Sequence, residues 1–256
     1  MLTTLVSLCV FSFLAGLIDA VVGGGGLVQI PALLTLLPRE LPVMLLGTNK
    51  FASSWGTLCA TRSYLKRVRI NRSLIFPAAA AAFFCAIIGA MTVSYVPIQW
   101  LRPLIFVLLI VMAIYTFYKK DFGALHRPIV IGRRERLLGM LLGGLIGFYD
   151  GLFGPGTGSF LVFLFICIFG FDFIYASACA KTVNLMTNIA ALIFFVPAGY
   201  VLYSYALLMA ACNATGALVG AQLAMRGGAR QIRGFFLFLT LSLIGKLGYD
   251  MLSPHL

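Results

Sequence analysis

Charge, and acidic charge above all, is scarce in this sequence. Only 10% of the 256 residues are Asp, Glu, Lys or Arg, and just 7 of them are acidic, whereas a soluble domain carries about 25% charge. None of the 6 cysteines forms a C-x-x-C pair and there are 2 histidines, so neither a disulfide relay nor a metal centre is indicated. Hydrophobic residues make up 61% and form repeated runs of membrane-spanning length. The composition therefore excludes an ordinary soluble domain and predicts an all-α polytopic membrane protein.

Most of the 19 basic residues fall in three clusters, at positions 62–72, 119–136 and 226–233. Basic clusters can bind nucleic acid or anionic lipid, but in a membrane protein they more often mark cytoplasmic loops. We prefer the second interpretation and expect no nucleic-acid partner. The apolar N-terminus has no charged leader or cleavage site, so we expect it to be a mature segment. The predicted location is the cell inner (cytoplasmic) membrane, with several crossings.

The apolar segments follow one plan twice. In the first half they are 2–22, 25–37, 43–61, 73–96 and 99–118. In the second half they are 137–153, 158–169, 173–195, 200–222 and 234–252. Segments 25–37 and 158–169 are short, so they either cross as broken or thin helices or re-enter and return. We predict one transporter domain, with repeat one at 1–118, a cytoplasmic basic loop at 119–136 and repeat two at 137–256.

Rare residues recur at a constant offset of 131 positions. Asp150 and Lys181 follow Asp19 and Lys50 at this offset. Each acid lies in a motif that ends in glycines, GLIDAVVGGGG at 16–26 and GFYDGLFGPGT at 147–157. If each half has five crossing elements, the second half enters from the opposite side and all three basic clusters share one face. The charge bias thus favours inverted repeats with broken or short helices at the glycine motifs; re-entrant short segments would move cluster 226–233 across.

Each lysine belongs to a polar stripe on one helix face. The stripes are Lys50, Ser53, Ser54, Thr57 and Thr61, and then Ser177, Lys181, Asn184 and Asn188. A central charge costs roughly 2.5–3.5 kcal/mol on insertion scales, so these lysines and the two acids must pair or line a wet cavity. One interpretation is that Asp–Lys pairs only lock the repeats together. The glycine breaks favour a polar pathway instead, because helix ends present backbone N–H groups to an anion.

The candidate site therefore combines charges, glycine breaks and hydrogen-bonding side chains. The predicted substrate-binding residues are Lys50, Lys181, Gly23, Gly24, Gly25, Gly26, Thr48, Asn49, Ser53, Thr57, Gly154, Gly156, Thr157, Asn184 and Asn188, with Tyr149 beside them. Asp19 and Asp150 either hold the lysines in place or exchange protons during transport. We expect no catalytic residue, metal or cofactor.

These motifs resemble the TauE/SafE family, also called the sulfite exporter or toluene sulfonate uptake permease family. The resemblance rests on DAVVGGGG at 19–26, PAL at 31–33 and GTNK at 47–50, on GFYDGLFGP at 147–155 with Ala180, Lys181 and Asn184, and on KLGYD at 246–250. It covers essentially the whole chain. One departure is the pair of valines in the first motif, where family members commonly carry a smaller or more polar residue.

The resemblance implies a cytoplasmic-membrane transporter for sulfite, sulfonates, sulfoacetate and related sulfur-containing organic anions. The family is described with seven to nine spans, and the two short segments would account for the difference from ten elements. The sequence thus predicts a secondary transporter of small anions that works by alternating access between two repeats. The expected partners are the anion, the lipid bilayer and, if transport is coupled, a proton. The sequence leaves open whether the protein forms a homo-oligomer. An anion channel on the same site is the alternative, and a membrane-embedded enzyme is disfavoured.

Overall fold

The computed structural model describes the backbone of residues 2–93, 110, 114 and 123–252, and between 228 and 252 it describes only a few side chains. In this part of the chain the regular structure is entirely helical, in agreement with the predicted fold class. The helices are α1 (Leu2–Val22), α2 (Gly25–Leu36), α3 (Pro42–Leu65), α4 (Arg72–Thr92), α5 (Arg133–Leu152), α6 (Thr157–Phe169), α7 (Phe173–Phe195) and α8 (Tyr203–Leu252).

Four of these helices have a segment long and apolar enough to cross a membrane by length and composition. The segments are Thr3–Val22, Arg72–Thr92, Phe173–Phe195 and Tyr203–Gly227. Helices α2 and α6 are apolar but short, as the sequence predicts. Segment 99–118, apart from two helical positions, and the side chains of Lys246 and Asp250 lie outside the described residues.

The third basic cluster differs from its prediction. We expected residues 226–233 to form a loop between two spans, but α8 continues through them as one helix. The prediction of a break was wrong because the stretch holds the good helix formers Arg, Ala and Gln and no proline lies between 203 and 252, so Gly227 and Gly228 do not interrupt the helix. The other two clusters also extend into helices, since Arg62 lies in α3 and Arg133 begins α5.

Caps at the helix ends explain where several elements begin. The Asn71 side chain accepts from the Ser73 backbone N–H at 3.1 Å before α4, and the Asp172 carboxylate accepts from the Tyr175 N–H at 2.8 Å before α7. Both are typical N-cap bonds. Gly170, with a φ of 70°, ends α6 in the left-handed conformation that glycine adopts most easily. The turn 170–172 therefore reverses the chain between the short helix and α7.

Helix packing repeats at the same offset as the motifs. Helix α1 packs on α8, and its counterpart α5 packs on α4. A Cβ at Gly16 would collide with the carbonyl oxygen of Asn213, and one at Gly147 would collide with that of Ala82. The two contacts are equivalent, because Gly147 follows Gly16 by 131 positions and Asn213 follows Ala82 by 131 positions. Glycine at each crossing lets the helix backbones touch, as small residues do in membrane proteins. The halves are thus interlocked, while their opposite orientation in the membrane stays a prediction.

Candidate functional site

Both glycine motifs break the helix at the equivalent residue. Helix α1 ends at Val22 and α5 ends at Leu152, and the glycines that follow, Gly23 and Gly154, have φ values of 86° and 92°. An L-residue rarely adopts this left-handed conformation. Helices α2 and α6 then start after glycine caps without a side-chain acceptor. Each half therefore presents a helix end and, next to it, a helix start.

The four predicted charges form two ion pairs, and both pairs cross between the halves. Lys50 Nζ lies 2.7 Å from Asp150 Oδ2, and Lys181 Nζ lies 2.6 Å from Asp19 Oδ2. The second contact is also a hydrogen bond, whereas the Lys50 ammonium is not aligned for one and Asp150 Oδ2 has no hydrogen-bond donor among the described residues. The charges are therefore paired, as their cost in a membrane requires.

The two pairs differ in their access to solvent. The side chains of Lys50 and Asp150 are 4% and 2% exposed, and that of Lys181 is 1% exposed, but the Asp19 side chain is 14% exposed. Glycine makes room for the more buried pair, Lys50–Asp150, because a Cβ at Gly154 would lie 2.9 Å from Lys50 Nζ. Of the two aspartates in these ion pairs, Asp19 is thus the one that water reaches more easily.

The halves meet at a residue and its own counterpart. Thr57 and Asn188 are 131 positions apart, the repeat offset, and Asn188 Nδ2 donates to Thr57 Oγ1 at 3.4 Å. Asn188 Oδ1 in turn accepts from Lys50 Nζ at 3.3 Å. Equivalent residues touch only near an axis that relates the two halves, so this axis passes beside the Lys50–Asp150 pair.

One small cavity collects most of the predicted site. Its volume is about 20 Å³, room for a water molecule. Its wall is formed by Asp19, Gly23, Gly25, Gly26, Gln29, Asn49, Lys50, Ser53, Thr57, Asp150, Gly154, Gly156, Gly158, Asn184, Asn188 and Asn213. The starts of α2 and α6 thus face the same space as the ion pairs, and helix starts attract negative charge.

Four predicted residues lie outside the cavity wall. Lys181 is the ion-pair partner of Asp19, and Gly24 is the N-cap of α2. Thr48 Oγ1 donates to the Met44 carbonyl at 2.7 Å and accepts from a backbone N–H before α8. Thr157 Oγ1 donates to the Gly154 carbonyl at 2.8 Å, inside the second break. The two threonines bond backbone groups in these contacts.

Tyr149 also acts on the second break. Its hydroxyl donates to the Pro155 carbonyl at 2.5 Å, so it bridges the end of α5 and the start of α6. We placed Tyr149 beside the site for its position next to Asp150, and it lies outside the cavity wall. Among the described residues, no group of three or more His, Cys, Asp or Glu side chains could hold a metal ion.

Sequence reasoning missed three residues of the cavity wall, namely Gln29, Gly158 and Asn213. The signal for two of them was present, because an amide side chain interrupts an apolar segment in each case. A polar residue within a membrane segment indicates function or a polar partner. Gly158 carries no such signal; it is recognisable only from its contact, since a Cβ there would lie 2.6 Å from the Gly23 Cα.

Hydroxyl groups from α3 and α6 bond two carbonyl groups near the end of α1, and this arrangement is not repeated at the end of α5. Tyr64 Oη donates to the Ala20 carbonyl and Ser159 Oγ to the Val22 carbonyl, each at 2.8 Å. The residues at the equivalent positions are Phe195 and Val28, which have no hydroxyl group. The two breaks are therefore built alike but held differently.

Comparisons with known proteins place these features in a family context. The family model described as sulfite exporter TauE/SafE matches residues 8–247. A "probable membrane transporter protein ORF9" of Sinorhizobium is 36% identical over 247 residues, covering 96% of this chain and 93% of that protein. A "probable membrane transporter protein" of Haemophilus influenzae is 32% identical and covers 93% of this chain and 92% of its own length. The similarly named YfcA of Escherichia coli is 32% identical, with 93% and 87% covered. No solved structure matches the chain.

Proposed function

The chain belongs to the sulfite exporter TauE/SafE family of membrane transporters, and from that premise we propose that it carries small sulfur-containing or organic anions across the cell inner membrane. Sulfite, sulfonates and sulfoacetate-like compounds are the proposed substrates. The mode is secondary transport, by alternating access between the two halves. A small anion and the bilayer would then be its main partners.

The observation that carries this proposal is the pair of cross-half ion pairs at one cavity. Lys50–Asp150 and Lys181–Asp19 each join one half to the other, so any movement between the halves acts directly on both lysines. A static lock would need no glycine breaks beside it. The breaks bring the starts of α2 and α6 to the same cavity, where N–H groups and the helix dipole favour negative charge.

Charge balance suggests how an anion would be admitted. Two lysines and two aspartates make the centre neutral, so a monovalent anion would leave one uncompensated negative charge. One proton on a carboxylate restores neutrality, and buried uncompensated charge is strongly disfavoured. Asp19 is the more accessible of the two carboxylates, since its side chain is 14% exposed against 2% for Asp150. The anion would therefore replace Asp19 as the partner of Lys181.

The size of the cavity requires a change of conformation. A volume of about 20 Å³ holds a water molecule but not a sulfonate group with its three oxygens. The halves must therefore separate around the site before an anion enters. The contact between Thr57 and Asn188 marks the line about which we propose that they rock.

The second candidate function is an anion channel on the same site, favoured by the polar cavity between the halves. Counterflow separates the two, since only a carrier is accelerated by substrate on the opposite side. An enzyme is not supported, because the family and the relatives are membrane transporters. Covalent change of an incubated anion would revive that reading.

The direct test uses a charge-balanced variant in proteoliposomes. Lys50→Met with Asp150→Asn removes one ion pair, keeps the side-chain sizes similar and leaves no lone buried charge. We expect anion uptake to fall at least tenfold while the melting temperature changes little. Lys66→Met, an exposed lysine between α3 and α4, is the matched control and should transport normally. Wild-type uptake by the double variant would show that the pair only joins the halves.

A first screen should identify the anion to use. Purified protein is heated with sulfite, sulfate, sulfonates or carboxylates, and a ligand stabilises the state that binds it. A concentration of 100 times the Kd stabilises by about 2.7 kcal/mol, which is measurable as a rise in melting temperature. No rise with any of these anions would contradict the proposed substrate class.

A further inference from the structure

The cavity has a polar wall that belongs to one side only. Gln29 on α2 donates from Nε2 to Ser12 Oγ on α1 at 3.1 Å, and Asn213 Nδ2 on α8 donates to Gln29 Oε1 at 3.0 Å. All three side chains are buried, and Gln29 and Asn213 line the cavity. The chain of bonds fixes the Gln29 amide in one orientation beside the ion pairs.

The equivalent positions in the other half carry no polar side chain. Ser12, Gln29, Asn49 and Asn213 correspond to Gly143, Phe160, Ala180 and Ala82. By contrast, both halves carry the aspartate and the lysine, and Ser53 and Thr57 correspond to the polar Asn184 and Asn188. The two halves can therefore be compared directly, and the comparison indicates that this fold accepts residues without a polar side chain at all four positions. Replacing both partners of a buried hydrogen bond by apolar groups of the same shape can be nearly neutral for stability, so folding alone does not require the polar wall.

Asn49 provides a second, independent observation. Its side chain is 4% exposed and lines the cavity, and its Oδ1 has no hydrogen-bond donor among the described residues. A buried acceptor normally has a partner. This oxygen needs a donor, and a fully ionised sulfonate or sulfate offers only acceptors. A water molecule in the cavity can supply the donor, and so can a substrate O–H or N–H group that displaces this water.

We propose that Gln29, Asn49 and Asn213 form a subsite for a hydrogen-bond-donating group of the substrate, a hydroxyl or an amino group next to its anionic group. The inference rests on the proposed function: the lysines receive the charge, and the amide wall receives the donor. The ion pairs, which occur in both halves, then take part in the movement between the halves, whereas the amide wall, which occurs on one side of the site only, selects the substrate. The substrate class is a small hydroxylated or aminated organic anion rather than an anion with acceptors alone.

The test compares two sulfonates that differ by one hydroxyl group. Uptake of ethanesulfonate and of 2-hydroxyethanesulfonate is measured in proteoliposomes that contain the full chain. One hydrogen bond to a buried acceptor corresponds to about a fivefold to tenfold higher kcat/KM for the hydroxylated anion. Asn49→Ala, which installs the residue of the counterpart position, should remove this preference, so that the ratio of the two kcat/KM values falls towards one.

Further variants separate the subsite from general damage. Asn213→Ala, again the counterpart residue, should reduce the preference because it frees Gln29. Thr215→Ala, whose exposed hydroxyl bonds only the α8 backbone at 2.8 Å, should leave both uptake rates unchanged. If Asn49→Ala does not fold, the wild-type preference and Asn213→Ala decide the matter.

The outcomes distinguish the subsite from the transport proposal. Equal uptake of the two sulfonates by the wild type, or faster uptake of ethanesulfonate, would overturn the subsite and leave anion transport intact. A preference that survives in both Asn49→Ala and Asn213→Ala would overturn it as well. Uptake of neither sulfonate by folded protein would refute the proposed function and the subsite with it.

Discussion

Lys50 and Lys181 are equivalent by sequence but not by environment. Lys50 faces a carboxylate that is 2% exposed and also touches Asn188, whereas Lys181 faces a carboxylate that is 14% exposed. Removing one partner of a buried ion pair is strongly destabilising, because the other charge stays behind unpaired. The two lysines should therefore differ in what their loss costs.

Lys50→Met should destabilise the protein more than Lys181→Met. The first change strands Asp150 in a sealed environment, at a cost of about 3–5 kcal/mol, while the second leaves Asp19 with some access to water. Melting temperatures of the detergent-solubilised variants measure the difference. Adding Asp150→Asn to Lys50→Met should recover most of the loss. An equal loss for the two single variants, or no recovery, would contradict this account of the pairs.

The sequence was sufficient to choose the charged residues but not to match them. Asp19 and Lys50 are 31 positions apart, as are Asp150 and Lys181, but this equal spacing does not say which acid meets which lysine. The structure joins Asp19 to Lys181 and Asp150 to Lys50. Spacing along the chain cannot reveal that choice, because it depends on how the halves dock.

At the scale of elements, the glycine breaks were predictable because glycine runs beside a helix have few other uses. The position of α2 and α6 inside the site also followed from the repeat. The continuity of α8 did not, since the basic residues at 226–233 suggested a loop. At about 1.5 Å per residue, a helix of 50 residues is about 75 Å long and exceeds the bilayer core. Its part Tyr203–Gly227 has the length and composition of one span.

Gly23→Ala tests whether a break needs glycine for its conformation or for its contact. Gly23 has a φ of 86° and touches the backbone of Gly158, while Gly199 has a φ of 73° and nothing within 4 Å of an added Cβ. Gly199→Ala therefore loses stability only because alanine must adopt the left-handed conformation, which costs about 1–2 kcal/mol. Gly23→Ala meets the clash as well and should lose much more stability and all anion uptake. Similar melting temperatures for the two variants would show that the contact with α6 is unimportant.

For the whole molecule, the constant offset of the rare residues was the decisive signal in the sequence. It predicted two equivalent halves, and the matched contacts of α1 with α8 and α5 with α4 agree with it. The polar wall of Gln29, Asn49 and Asn213 was not predictable as a unit, because its members come from three helices. Only docking brings them to one cavity. Membrane orientation depends on charge bias, which the fold does not test.

Cysteine labelling tests the inverted arrangement. In a background without native cysteines, T3C, R69C and R226C place single thiols at exposed positions near the N-terminus, between α3 and α4, and in the third basic cluster. The inverted repeat predicts that a membrane-impermeant maleimide labels T3C in intact cells, and labels R69C and R226C only after permeabilisation. Labelling of R226C in intact cells, with T3C and R69C both protected until permeabilisation, would favour short segments that re-enter and return.

The proposal of alternating access is tested most directly by counterflow. Proteoliposomes are loaded with unlabelled 2-hydroxyethanesulfonate, the membrane potential is clamped, and uptake of the labelled anion at low external concentration is followed. A carrier returns faster when it is loaded, so we predict a transient accumulation of label several times above its level in unloaded liposomes. Uptake that is not accelerated by the internal anion, and only relaxes to equilibrium, would contradict alternating access and indicate a channel.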